Sequence, residues 1–193
     1  MSLTEASRIL EEQYPRGVDP KRFHAHCARL KRVVILRTSW YVDVVDALVL
    51  SAKKYLLDNK VPASAIEVMH VPGSFELPLA AELCLSSRGA EVVDAVIALG
   101  CVVKGSTPHF QFVCDSMSQG LMSVSVKYQK PVGFGVLTVD NLEQALARKD
   151  KGAEAAQAAL AMSLFREQLE HHPLDHKTQF SSLTLDRPDL ENR

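Results

Sequence analysis

The sequence predicts an α/β protein of three layers, α/β/α, built on a four-stranded parallel sheet. Two observations carry that expectation. Compact β-branched runs alternate with stretches of helical periodicity along the whole chain, the pattern of a parallel sheet covered on both faces. The amphipathic stripe that follows the most apolar run is long enough to cover a sheet. With 193 residues the chain can hold one domain with a substantial core, and not two of ordinary size. That domain is expected at 31–170, between an N-terminal extension, 1–30, and a polar C-terminal tail, 171–193.

Residues 1–30 are polar, with a short helix expected at about 4–13 and the segment packed on the outside. The first strand is "RVVILR", Arg32 to Arg37, and behind it Val44, Val45, Leu48, Val49, Ala52 and Leu56 recur at helical spacing. "IEVMHV", Ile66 to Val71, is the second strand. "ELPLAAELCLSS", Glu76 to Ser87, is the second helix, stopped by Arg88-Gly89. "VVDAVIALGCVV", Val92 to Val103, is the third strand and the most apolar. After it Phe110, Val113, Cys114, Met117, Leu121 and Val124 form one stripe of a long helix. "PVGFGVLTV", Pro131 to Val139, gives the fourth strand, and helices are expected at about 141–150 and 153–170. From His171 onward, polar residues with Pro173 and Pro188 predict a loose tail.

Composition narrows the function. Hydrophobic residues make up 47% of the chain and the net charge is -1, so nothing pulls it generally toward nucleic acid or an anionic membrane. No apolar run approaches the roughly 18 residues a bilayer span needs. The start, "MSLTEASRILEEQYPRG", lacks the apolar stretch of a secretory signal, and Glu5, Glu11 and Glu12 argue against a transit peptide. Cys27, Cys84, Cys101 and Cys114 stand far apart with no C-x-x-C pair, which predicts reduced thiols and a cytoplasmic protein. No metal site is expected. His24 and His26, and His171, His172 and His176, do cluster, but Pro173 interrupts the spacing that would align the last two.

Parallel sheets keep their ligands beyond the carboxyl ends of their strands, which directs attention to "ALGCVVKGSTPHFQF", Ala98 to Phe112. Gly100 to Thr107 nearly matches a nucleotide-binding P-loop, but Ser106 occupies the lysine position, and Val102 and Val103 suit a strand. A flavodoxin-type carrier would place its phosphate loop after the first strand, where "LRTSWY" has no glycine. The loop after strand three is better equipped. Gly105 permits a turn, Thr107 is a good N-cap, Pro108 suits the first helical position, and the amides at Ser106 and Thr107 would face an anion. His109 then falls at about the second helical position. The positive helix end disfavours its protonated form by roughly 0.3 to 1 kcal/mol, leaving the neutral imidazole that a general base requires. Taken alone, such a histidine more often merely decorates a helix start.

Its neighbours decide the matter. "VPGSFELPLAA" (Val71 to Ala81), "GCVVKGSTPHFQFV" (Gly100 to Val113), "PVGFGVLTVDNLEQALAR" (Pro131 to Arg148) and "KGAEAA" (Lys151 to Ala156) together closely resemble the 6,7-dimethyl-8-ribityllumazine synthase family. The likeness runs in order from about Arg32 to Phe165. It implies a flavodoxin-like fold and the penultimate step of riboflavin biosynthesis. In that step 5-amino-6-(D-ribitylamino)uracil condenses with 3,4-dihydroxy-2-butanone 4-phosphate, without a cofactor.

The resemblance also implies roles. His109 matches the family's acid/base histidine, and Glu154 the acidic residue that orients it. Trp40 would stack on the pyrimidine, where relatives carry Phe or Trp. Ser74, Phe75 and Glu76 match the segment holding the ribityl chain and ring, while Val102 and Val103 present backbone to the pyrimidine. Ser106, Thr107 and Arg148 would bind phosphate, the guanidinium as a planar fork. Phe134 matches an aromatic contributed by the adjacent subunit, so the site is expected at a subunit interface. Two departures stand out: Lys104 replaces a frequent Arg, and "LARKDKGAEAA" (Leu146 to Ala156) is shorter than relatives carrying a Gly-Lys-x-Gly-Asn-Lys-Gly linker. That linker accompanies a sixty-subunit shell, so a pentamer or decamer is expected instead, and the phosphate-side lysine is left open between Lys149 and Lys151. A non-catalytic flavin-binding relative would keep Trp40 and Glu76; a purely structural shell protein would need neither His109 nor Arg148.

Overall fold

The computed structural model describes residues 18–87 and 92–171. The helix expected near 4–13, the stop at Arg88-Gly89 and the tail beyond His171 lie outside the described residues. Four strands, β1 (Val33–Thr38), β2 (Ile66–Val71), β3 (Ala95–Val103) and β4 (Val132–Val139), form one sheet in the order β2-β1-β3-β4. Every pairing is parallel. Val33 is in register with both Ile66 and Ala95, and Val96 with Val132.

Alternation along the strands divides the core in two. Val33 and Ile35 of β1 and Ile97, Leu99 and Cys101 of β3 face α2 (Val42–Asp58) and α6 (Lys151–His171). Val34, Leu36, Val96 and Ala98 face α3 (Leu77–Leu85) and α4 (His109–Tyr128). The expected three layers are therefore present. The chain leaves β1 toward β2 and later crosses to β3 on the opposite side. The strand order thus reverses between β1 and β3, and a crevice opens there at the carboxyl ends.

Several expected bounds shift, each for a local reason. β3 begins at Ala95 and not at Val92, because the Asp94 carboxylate accepts hydrogen bonds from the amides of Lys31 (2.6 Å) and Arg32 (2.9 Å) and turns the chain. α4 begins at His109, making it the first helical residue. Pro108 holds the cap position with φ −63° and ψ −7°, and no side chain caps the helix, so Thr107 is not its N-cap. The helix expected at 141–150 is only the short α5 (Leu142–Leu146), started by Asn141 Oδ1, which accepts from the Gln144 amide at 3.0 Å. α6 starts at Lys151, two residues early, and is pressed against α2. A Cβ on Gly152 would stand 2.0 Å from the Leu48 carbonyl oxygen, so only glycine allows this approach.

The polar N-terminal segment holds a helix the sequence reading placed nowhere, α1 (Pro20–Cys27). The Asp19 carboxylate accepts from the Lys21 and Arg22 amides, both at 3.3 Å, and Pro20 takes the first helical position. Phe23 and Cys27 are fully buried in the α2/α6 core. His26 anchors the helix with both ring nitrogens: Nδ1 lies 2.9 Å from Glu167 Oε2 and Nε2 lies 3.1 Å from Ser163 Oγ on α6. Arg29 donates to the other Glu167 oxygen at 2.7 Å.

All four cysteines are free thiols. Burial pushes Cys27 up to about 12 and Cys101 up to about 11, so neither is a ready nucleophile. Among the described residues no helix is long and apolar enough to cross a membrane. Nor, among them, do three metal-ligating side chains converge.

Candidate functional site

The crevice beyond β1 and β3 is a hollow of about 460 Å³. Seven residues singled out in the sequence line it: Trp40, Ser74, Phe75, Glu76, Val102, Val103 and His109. Tyr41, Gly73, Cys101 and Val113 complete the wall.

Each segment reaches the hollow for a local reason. After β1 the chain turns sharply at Tyr41, which holds a left-handed φ of 54°. A bulky residue seldom adopts that conformation, and such strain concentrates at functional corners. Trp40 is thrown outward, 68% exposed, with its indole at the mouth. A second hollow, lined by Ser39, His70, Val71 and Pro72, also borders Trp40. After β2, Gly73 brings the next turn close to that indole. A Cβ there would lie 3.0 Å from Glu76 Oε2 and 3.5 Å from Trp40 Nε1, so its absence lets the carboxylate and the indole share one space. Ser74 is buried while Phe75 is exposed. β3 delivers Val102 and Val103 at its carboxyl end, and α4 contributes His109 with Val113 one turn later.

Five of the residues singled out do not line this hollow. Ser106 and Thr107 stand on the exposed loop just before His109. Phe134 lies on the edge strand β4, 48% exposed. Arg148, beyond α5, donates through Nη1 to the Gln144 carbonyl at 2.8 Å. Glu154 pairs with Lys151 at 2.6 Å, and within the chain its carboxylate is bonded to that ammonium and not to His109. Lys151 thus carries an ion pair, while Lys149 offers its carbonyl to the Ser51 hydroxyl at 3.1 Å.

Chemically, the hollow combines an indole face, apolar walls from the valines and Phe75, a carboxylate, a hydroxyl and an imidazole at a helix start. It suits a flat ring with polar substituents, and its imidazole can move protons. Two features, Tyr41 and Thr38, escaped the sequence reading, and a third, Val113, was placed on the helix stripe without being assigned to the site. Tyr41 carries no motif that marks its backbone. Val113 was legible as the position one turn beyond His109. Thr38, under the hollow, looked like the end of an apolar strand.

The family model for 6,7-dimethyl-8-ribityllumazine synthase matches residues 30–167. The chain is 47% identical over 140 residues to the protein of that name from Kocuria rhizophila, covering 69% of this chain and 85% of that relative. It is 45% identical over 137 residues to its counterpart from Streptomyces coelicolor, covering 67% and 81%. A more distant counterpart, from Vesicomyosocius okutanii, is 35% identical over 147 residues, covering 72% and 88%.

Proposed function

The chain belongs to the 6,7-dimethyl-8-ribityllumazine synthase family, and on that premise we propose that it makes the lumazine of riboflavin biosynthesis. It condenses 5-amino-6-(D-ribitylamino)uracil with 3,4-dihydroxy-2-butanone 4-phosphate, losing phosphate and water, and it needs no cofactor. The observation that carries this reading is the convergence of Trp40, Ser74, Phe75, Glu76, Val102, Val103 and His109, from four segments, on one hollow at the strand-order reversal.

In this reading the pyrimidine stacks on Trp40 against Val102 and Val103, and Ser74, Phe75 and Glu76 hold the ribityl chain and ring. Imine formation, phosphate elimination and ring closure all move protons, and His109 relays them. The amides at Ser106 and Thr107, with Arg148, take the phosphate. Phe134 and Glu154 serve the hollow of an adjacent subunit, a reading supported by their lying outside this chain's own hollow. The functional unit is then a cytoplasmic homo-oligomer, a pentamer or decamer, whose reaction is carried by residues 31–170 with flanking segments 1–30 and 171–193.

The test is to mix purified protein with both substrates and follow the lumazine by absorbance, subtracting the uncatalysed reaction. Turnover above that background is expected. No acceleration by an intact oligomer with live substrates would sink the reaction and favour a flavin-binding role through Trp40.

A further inference from the structure

Beneath the hollow lies a hydroxyl that these roles leave unused. Thr38, the last residue of β1, is fully buried, and its Oγ1 has no hydrogen-bond partner among the described residues. An unpaired buried hydroxyl costs about 1 to 3 kcal/mol, and valine would fill a strand position of this shape without that cost. Strand alternation sends Thr38 to the face of Val34 and Leu36, under α3 and α4. There it borders, with Ser74, the space above Gly100, and no hydrogen bond joins the two hydroxyls. A Cβ on Gly100 would find Ser74 Oγ at 3.0 Å, Thr38 Cγ2 at 3.0 Å and Thr38 Oγ1 at 3.1 Å. Both side chains therefore crowd over the one position of β3 that leaves them room. Ser74 lines the hollow and Thr38 does not, so Thr38 reaches a ligand only through Ser74.

We propose that Thr38 is a positioning residue for the hydroxyl-bearing part of the pyrimidine substrate. Unpaired in the free chain, its O–H turns to donate to Ser74 Oγ when a ligand binds, as Ser74 donates its own proton to a ligand oxygen. The inference rests on the assignment of Ser74 to the ribityl segment. A hydroxyl both donates and accepts, so two in series fix the direction of the outer one and polarise it. Glycine at position 100 suits the same geometry, because a Cβ there would press on both side chains and make them give by a few tenths of an ångström.

Thr38→Val keeps the shape and removes the hydroxyl; Thr38→Ser keeps the hydroxyl. Titration calorimetry with 5-amino-6-(D-ribitylamino)uracil reads the effect, beside KM, kcat and the melting temperature. Thr38→Val is expected to weaken binding about 3- to 10-fold, the size of one hydrogen bond. Its kcat should be little changed and its melting temperature not lowered, since the orphaned hydroxyl is gone. Thr38→Ser should restore the affinity, and in a Ser74→Ala background Thr38→Val should add nothing. An unchanged dissociation constant in Thr38→Val would overturn the inference. Losses that simply add in the Ser74→Ala background would overturn it as well. Calorimetry reads the series in protein that binds the pyrimidine without turning over, so failure of the proposed reaction appears separately, in the absorbance assay.

Discussion

His109 stands in the first turn of α4, at the rim of a hollow whose lining also includes the polar side chains of Ser74 and Glu76. Its imidazole serves several proton transfers in the proposed reaction, and a positioned acid/base group contributes about 10²- to 10⁴-fold. His109→Ala should therefore lower kcat by that order and leave residual turnover, because stacking and phosphate binding persist. Steady-state kinetics check this; an unchanged kcat would remove His109 from the chemistry. At this scale the sequence was most legible where a side chain's chemistry sets it apart. An indole, an imidazole and a carboxylate announce themselves, and all three meet in the hollow. Thr38 did not, because a threonine ending a β-branched run reads as strand, and only its missing partner sets it apart.

Among the elements, strands were read best. β2 matches its expected bounds, and β4 differs by one residue, because β-branched runs leave few alternatives. Charged stretches were read worst. "RKDK", Arg148 to Lys151, carries no apolar period to mark where α5 stops or α6 starts, and the close approach at Gly152 is a fact of packing. α1 was missed for a related reason: its buried face consists of Phe23, His26 and Cys27, too short and too polar a pattern to register.

His26 gives the α1 contact a pH dependence. Burial lowers its pKa in the folded chain, against the rise that Glu167 alone would cause. Burial would raise Glu167, but the Arg29 hydrogen bond, with His26 beside it, holds that carboxyl below its ordinary value. As pH falls through the ordinary histidine value of 6.5, the unfolded chain takes up the proton first, so stability is present above that value and lost below it. Melting temperatures of the wild type should fall between about pH 7 and about pH 5.5 more steeply than those of His26→Gln, which cannot titrate. Parallel declines would show that the proton goes elsewhere.

At the scale of the molecule, five exposed apolar side chains sit on the neighbouring helices α3 and α4: Leu79, Leu83, Phe112, Met122 and Val126 are each more than half exposed. A lone subunit would keep those side chains in water, whereas an assembly could cover them. Light scattering of the full chain should give a mass of five subunits or ten. A monomer at working concentrations would undermine the shared site. The fold class was legible from alternation alone, whereas the expectation about assembly came only through likeness, because no local pattern encodes how subunits meet. The contact of α1 with α6 has one more consequence. His26 near one end of the described fold grips Glu167 near the other, so the path of the backbone is almost a ring. A circular permutant that joins those ends by a short linker and opens in the exposed turn at Lys60 would keep the same layers while moving its termini to another side of the subunit.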